Sequence, residues 1–123
     1  MITPIQSTVV FNGYNSSLKT NWRNGKLPTV KKGFYGDILK QDNLSLEHLE
    51  PHSKGGKTDL ANLVLASKNK NRERGNKDIN EFIDIKTVRQ YLSQFTNVRI
   101  KGFNGNNYKD MILSTLRKLG VNI

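Results

Sequence analysis

The chain contains no cysteine among its 123 residues. Without thiols it can form neither disulfides nor a zinc site built on thiolate ligands. Its two histidines also leave few ligands for a closed zinc site, so we expect no structural zinc. An absence of cysteine is compatible with the reducing cytoplasm, where we expect the protein to reside.

Apolar residues are sparse and dispersed. They make up 35% of the chain, and the mean hydropathy of −0.62 predicts a thin core under a large surface. No apolar run approaches the roughly 18–20 residues that a membrane-spanning helix needs. The first residues, MITPIQSTVVFNG, lack the charged start and apolar stretch of a secretory signal. We therefore expect one soluble domain over residues 1–123, since that length supports a single core.

Acidic residues are also few. Ten Asp and Glu oppose 20 Lys and Arg, which gives a formal charge of +10 and a pI near 10.0. Such a surface attracts polyanions, and the phosphates of nucleic acids are the commonest of these. The alternative is a cationic protein without a specific ligand, but +10 exceeds what solubility requires of so small a chain. A membrane surface is less favoured, because no long helix is basic on one face and bulky-apolar on the other.

The N-terminal third predicts an irregular arm over residues 1–36. Its run STVVF is β-branched and fits one short strand, and segments rich in Asn, Gly and Pro follow it. Aromatic side chains alternate there with Lys and Arg, a mixture that can stack on bases and bind phosphates. We expect most of them to fasten the arm to the core instead. They are Tyr14, Trp22, Phe34 and Tyr35.

The C-terminal third predicts two packing helices. One apolar face at helical spacing falls in the second half of residues 80–97, and another begins at Tyr108 and stops at Gly120. Between them, residues 98–101 fit a short strand or an extended link, and residues 102–107 form a turn cluster. The first face consists of Val88, Tyr91, Leu92 and Phe95.

Residues 44–78 contain the candidate catalytic residues. LSLEHL alternates as a strand, a loop containing Pro51 and the pair Gly55-Gly56 follows, and NLVLAS reads as a second strand. Ser67 is then a plausible N-cap for a short helix that stops at Gly75. The elements EH, PHSKGG, NLVLA and NRERG, in this order and at this spacing, resemble the HNH nuclease family.

The resemblance implies an α+β fold with a ββα-metal core, to which the irregular arm and the two C-terminal helices are added. It implies a metal-dependent DNA endonuclease. The small size favours a free-standing nuclease of a phage or mobile element, and a restriction system or host defence is the alternative setting. Such an enzyme hydrolyses phosphodiester bonds and leaves 5′-phosphate and 3′-hydroxyl ends. The expected substrate is double-stranded DNA, because DNA is the substrate that the resemblance implies. The residues themselves do not distinguish DNA from RNA, so RNA is a weaker alternative.

Within that resemblance, His48 is the general base, and Glu47 and Asn71 hold a divalent cation. The residue types suit these roles, since histidine is largely neutral at cellular pH and oxygen ligands suit Mg²⁺. Mg²⁺ is the expected ion, and Mn²⁺ is also suitable.

Other residues of the motif are expected to support this site. Asn62 would fasten the loop by bonding backbone groups, while Pro51, Gly55 and Gly56 would shape it. Basic residues of the loop and the short helix are expected to meet the DNA backbone. They are Lys54, Lys68, Lys70, Arg72 and Arg74.

Each assignment has an alternative. His48 could be a structural histidine, Glu47 a surface acid paired with a lysine, and Asn71 a polar residue of the early helix. Strand alternation sends Glu47 and His48 to opposite faces, so they serve one cation only if the strand ends or twists there. The family more often has Asp before the His, and Glu50 is a backup ligand.

A zinc site at His48 and His52 is disfavoured. Their i, i+4 spacing brings two ligands together only on a helix, and Pro51 argues against a helix there. We expect His52 to be a loop residue that touches phosphate. Many family members fasten the module with zinc through two Cys-x-x-Cys pairs, but Ser67 and Lys70 stand at the positions of the second pair, so packing must stabilise this module.

A second class of function stays open. A non-catalytic nucleic-acid-binding module, whether a degenerate relative or a subunit of a larger nuclease machine, would carry the same charge. The complete set of Glu47, His48 and Asn71 favours the enzyme, because a binding relic has no physical need for it.

Overall fold

The structure is a computed structural model that describes residues 18–123. The strand expected at STVVF and the side chain of Tyr14 lie outside the described residues. Helix α1 covers residues 18–23, and the other elements follow along the chain. They are β1 (Leu44–His48), β2 (Leu63–Ser67), α2 (Lys68–Arg74), α3 (Ile79–Phe82), α4 (Ile85–Ser93), β3 (Arg99–Ile100), β4 (Phe103–Asn104) and α5 (Gly105–Lys118).

The predicted ββα core is confirmed. β1 and β2 pair antiparallel, with Glu47 opposite Val64 and His48 opposite Leu63. All five residues of β2 are buried, so this strand is covered on both faces. Helix α2 begins at the Ser67 cap, whose hydroxyl accepts a hydrogen bond from the Lys70 amide at 3.2 Å. The loop between the strands contains only two single 3₁₀ turns, His52–Lys54 and Leu60–Asn62.

Residues 18–36, the described part of the predicted irregular arm, contain a helix that the prediction did not include. Residues 18–23 are helical, because Leu18 buries completely in the core and anchors the turn. The aromatic residues fasten the segment as expected: the indole of Trp22 donates to the Val30 carbonyl at 2.7 Å. Phe34 is fully buried, and its amide donates to the Leu65 carbonyl at 2.8 Å.

The two predicted C-terminal packing helices are present as α4 and α5, and they pack against β2. Their contact includes a chain of hydrogen bonds through two fully buried tyrosines. The Leu65 amide donates to the Tyr91 hydroxyl at 3.0 Å, and the Tyr108 hydroxyl donates to the Leu63 carbonyl at 2.7 Å. The hydroxyls are 2.8 Å apart, and Tyr108 has already used its proton, so Tyr91 must be the donor between them.

The predicted turn cluster at 102–107 is wrong beyond Gly102. Residues Phe103–Asn104 pair with Arg99–Ile100 as a small hairpin, and helix α5 starts immediately after them. Asn104 caps that helix, because its side-chain oxygen accepts from the Asn107 amide at 3.1 Å. Asparagine therefore acts here as a helix start rather than as a turn residue.

The core joins these elements. Buried apolar side chains come from α1, both central strands and helices α3 to α5, and they form one continuous cluster. In the part of the chain that the structure describes, no helix combines the length and apolar character needed to cross a membrane. The end of β1 and the start of α2 lie at one side of this core, where the candidate site is found.

Candidate functional site at the end of strand β1

Glu47 and His48 close strand β1 and lie in different surroundings. Glu47 is 5% exposed, whereas His48 is half-buried. This difference follows from the pleat, since successive side chains point to opposite faces. The strand ends at His48, although the amide of Leu49 still donates to the carbonyl of Asn62 at 2.9 Å.

The carboxylate of Glu47 is held by two side chains. Its Oε2 accepts a hydrogen bond from the Tyr35 hydroxyl at 2.6 Å and lies 3.4 Å from the Arg74 guanidinium. Burial raises the pKa of Glu47, and the Tyr35 hydrogen bond and the Arg74 charge act in the opposite direction. Burial, followed by the charge of Glu47, raises the pKa of Tyr35, so the hydroxyl keeps its proton and remains a donor.

Arg74 does not have the exposed position expected for a DNA contact. It is 1% exposed, and its guanidinium donates to three main-chain carbonyls: to His48 at 2.6 Å, Leu49 at 2.7 Å and Lys77 at 2.9 Å. A guanidinium offers five N–H donors in a planar fork, which suits several carbonyls at once. Arg74 therefore fixes the end of β1 and balances the charge of Glu47, and it is not available to a phosphate.

Asn71 lies on the same face of β1 as Glu47. Its side-chain amide donates to the Ser45 hydroxyl at 3.0 Å and to the Leu46 carbonyl at 3.2 Å. Ser45 and Glu47 are two residues apart on the strand and so share one face. Because both hydrogen bonds use Nδ2, the Oδ1 oxygen of Asn71 is the atom left to bind a ligand.

These residues fit a hard divalent cation. Tyr35 and Arg74 both contact Oε2 of the Glu47 carboxylate, and the main chain of His48 adds a further hydrogen bond to that carboxylate. A carboxylate and an amide oxygen are ligands that Mg²⁺ accepts, with water completing its octahedron. Within residues 18–123, no three side chains of the His, Cys, Asp and Glu types are grouped closely enough to hold a metal ion. A cation here would therefore depend on Asn71, on water and on the substrate.

His48 is tied to the loop rather than to Glu47. Its Nε2 lies 2.9 Å from the hydroxyl of Thr58, and its ring centroid lies 6.1 Å from that of the exposed His52. Burial, then the charges of His52 and Arg74, lower the pKa of His48 below its usual value. The imidazole is therefore neutral at pH 7, the form that can accept a proton.

The loop that returns to His48 is closed by Asn62. Its side chain accepts from the Glu50 amide at 2.9 Å and donates to the carbonyls of Glu50 at 3.1 Å and Lys57 at 2.8 Å. The loop also needs Gly56, because a Cβ there would lie 1.8 Å from the Glu50 carbonyl oxygen. Gly55 has φ +91° at the end of the 3₁₀ turn that begins after Pro51.

The remaining basic residues of the motif are accessible. Lys54, Lys68 and Arg72 are exposed, and Lys68 and Arg72 are four residues apart on the short helix α2, which puts them on one face. Lys70 is half-exposed and lies 3.6 Å from Glu73 on the same helix. The cationic surface near the site is therefore formed by Lys54, Lys68, Lys70 and Arg72, without Arg74.

A cavity of about 740 Å³ lies between the loop after Thr58 and the small hairpin β3–β4 with helix α5. Its lining is mostly apolar and includes Leu60, Phe103 and Met111, and it contains none of the proposed catalytic or metal-binding residues. The cavity therefore adjoins the loop that follows Thr58 without including the proposed catalytic or metal-binding residues.

Sequence reasoning missed two residues of this site, Tyr35 and Thr58. Tyr35 is 12 positions from Glu47 and was assigned to packing, and Thr58 carries no motif of its own. The signal in the sequence was the predicted role of Asn62 in fastening the loop. Asn62 bonds the carbonyls of Glu50 and Lys57, which brings the residue after Lys57 back to the end of β1.

Comparison with known proteins supports the motif. Residues 34–78 match the family model described as HNH endonuclease. This confirms the resemblance drawn from the sequence, and the matched range includes Tyr35, Glu47, His48, Thr58 and Asn71. The comparisons with curated proteins and with solved structures find no match. The family match indicates a function of the nuclease type.

Proposed function

We propose that the HNH module of this chain makes it a metal-dependent DNA endonuclease that hydrolyses phosphodiester bonds. The observation that supports this most directly is the placement of Asn71 on the face of β1 that carries Glu47, at the end of the strand where His48 follows Glu47. Two oxygen ligands and one base are the minimum that such a hydrolysis requires from the protein.

His48 acts as the general base in this proposal. Its neutral ring accepts a proton from the attacking water as that water approaches the phosphorus atom. Arg74 fixes the backbone of His48 through the 2.6 Å contact with its carbonyl, so the ring starts from a defined position. Orientation of this kind is worth several kcal/mol in reactions that otherwise require two partners to meet.

Glu47 and Asn71 would hold the cation. Bound Mg²⁺ supplies positive charge where the transition state gathers negative charge on the phosphate. Neighbouring residues hold both proposed ligand side chains in place. Tyr35 and Arg74 fix one oxygen of Glu47, and Ser45 and Leu46 orient the amide of Asn71.

The DNA backbone would lie against Lys54, Lys68, Lys70 and Arg72. Each Lys or Arg that neutralises a phosphate releases bound counterions, so binding should weaken as salt increases. These contacts position the DNA without reading its sequence. The excess of 20 basic over 10 acidic residues supports such a general affinity.

The test is conversion of supercoiled plasmid to nicked or linear DNA by the purified protein. We expect activity with Mg²⁺ or Mn²⁺ and none in EDTA. His48→Ala should abolish cleavage while DNA binding persists. Glu47→Gln and Asn71→Ala should weaken metal binding in titration calorimetry, and cleavage by these variants should recover partly at higher Mn²⁺.

Matched controls separate chemistry from folding. Glu81→Gln and Asn122→Ala make the same chemical changes at exposed positions outside the site, and both should cleave as the wild type does. A wild-type protein that binds DNA but cleaves no plasmid with any of several divalent metals would refute the proposal. A non-catalytic binding module would then be the correct interpretation.

A further inference from the structure

One contact of His48 has no assigned purpose. Its Nε2 lies 2.9 Å from the Thr58 hydroxyl, across ten residues of loop. The geometry points to Thr58 as the residue that positions His48, holding Nε2 in its protonated form and leaving Nδ1 to accept the proton of water. This inference rests on the proposed function, because it assigns one nitrogen of the proposed base.

The hydrogen bonds of Asn62 hold the loop so that Thr58 lies near His48. Asn62 holds the Lys57 carbonyl at 2.8 Å, and Lys57 precedes Thr58 directly. The same Asn62 side chain binds both main-chain groups of Glu50, two residues after His48. Because the hydroxyl is exposed, water competes for it, and this fixed backbone is what keeps Thr58 near the ring.

The role of Thr58 as acceptor follows from the count of protons. A neutral imidazole has one N–H and one free lone pair. If Thr58 donated to Nε2, the ring proton would lie on Nδ1, and neither nitrogen would be free to act as a base. If Thr58 accepts from Nε2–H, the lone pair of Nδ1 is available.

The proton balance of the step then closes. Water loses a proton to Nδ1 as its oxygen bonds to phosphorus, and the ring becomes an imidazolium with both nitrogens protonated. The bond from phosphorus to the 3′ oxygen breaks in the same displacement, and the departing 3′ oxygen takes a proton from solvent. The Nε2–H bond to Thr58 persists and becomes charge-assisted, which strengthens it as the positive charge develops. Thr58 touches neither the attacking water nor the phosphate in this scheme, and it acts through His48 alone.

The experiment combines nitrogen NMR with kinetics. Protein labelled with ¹⁵N at histidine is studied at a pH where the ring is neutral, and the two ring nitrogens report which of them carries the proton. His48→Ala identifies the signals of His48. The variants Thr58→Val and Thr58→Ser are compared, and Thr96→Val is the control, because it makes the same change at an exposed position outside the site.

We expect the Nε2–H tautomer in the wild type and in Thr58→Ser. Thr58→Val should show a mixture of tautomers, and its kcat for plasmid nicking should fall roughly 10- to 100-fold with KM unchanged, as expected for a displaced base. Thr96→Val should match the wild type in both measurements.

Two results would overturn the inference. The first is a wild-type His48 with its proton on Nδ1, and the second is a Thr58→Val protein with wild-type tautomer and kcat. The nuclease proposal is tested separately, by plasmid cleavage with the wild type, and a wild type that cleaves would keep that proposal even if the role of Thr58 were refuted. A wild type that nicks no DNA but shows the tautomer change on Thr58→Val would refute the nuclease function and leave the positioning contact established.

Discussion

The chain of hydrogen bonds through Tyr91 and Tyr108 makes a quantitative prediction about stability. It runs from the Leu65 amide through the two hydroxyls to the Leu63 carbonyl, and every donor has a single acceptor. Burial raises the pKa of both tyrosines, so both hydroxyls stay protonated at neutral pH. Replacing either residue with Phe keeps the ring and removes one link.

The expected losses follow from the groups left without a partner. Tyr108→Phe leaves the Leu63 carbonyl and the hydroxyl proton of Tyr91 without a hydrogen-bond partner. Tyr91→Phe leaves only the Leu65 amide without one. A buried polar group without a partner costs about 1–3 kcal/mol, so we expect losses of roughly 2–4 and 1–3 kcal/mol respectively. The double variant leaves two groups without a partner, whereas the two single variants together leave three. Its loss of unfolding free energy should therefore be smaller than the sum of the two single losses by about 1–3 kcal/mol.

Urea unfolding of the four proteins measures this cycle. The midpoint should fall in each variant while the slope stays constant, because the surface exposed on unfolding is unchanged. Additive losses, or a larger loss from Tyr91→Phe than from Tyr108→Phe, would show that the assigned direction of the chain is incorrect.

Three further predictions concern residues around the site and one helix cap. Arg74→Ala should destabilise the protein by roughly 3–5 kcal/mol, the cost of breaking a buried ion pair, and Arg72→Ala on the same helix by less than about 0.5 kcal/mol. Comparable urea midpoints for the two variants would disprove the structural role of Arg74. Gly56→Ala should destabilise the protein and lower its thermal midpoint, because the new methyl group would lie 1.8 Å from a main-chain oxygen of Glu50; an unchanged midpoint would mean that the loop adapts freely. Hydrogen bonds to the α4 cap lower the pKa of Asp84, so its contribution to stability is present above the unfolded pKa and lost as the pH falls through the folded pKa. Asp84→Asn should therefore reduce the acid-side slope of stability against pH, and an unchanged slope would rule out this contribution.

The ββα core was predictable because its signals are local. Alternation predicted both strands, and Ser67 and Gly75 predicted the two ends of α2, since capping depends on neighbours within four residues. The positions of Glu47 and His48 on opposite faces also followed from alternation alone. Their partners did not, because Tyr35 and Thr58 meet them only after the loops fold back.

Arg74 shows why charge is a poor guide to exposure. In NRERG it resembles the other basic residues of a solvated helix, and nothing within four residues distinguishes it from Arg72. Its burial depends on the end of β1, 26 residues earlier, where two carbonyls have no strand partner on that side. Only a tertiary contact decides which arginine is the structural one.

The turn cluster at 102–107 failed for a related reason. Asn and Gly favour turns locally, but here Asn104 caps α5 and Gly105 lies where a Cβ would be 2.0 Å from the Phe95 carbonyl oxygen. The glycine is required by close packing against the turn that follows helix α4, which a reading of nearest neighbours does not detect.

The side chains that cover the small central sheet have a consequence for assembly. In a two-stranded sheet each strand has one unpaired edge, and such edges recruit strands from other molecules. Here hydroxyls of the C-terminal helices bind Leu63 and Leu65 on one edge, while α2 binds the carbonyls of Leu46 and His48 on the other. A second copy would find those groups already engaged. If two copies cooperate to cut both strands of a duplex, they must meet through another surface.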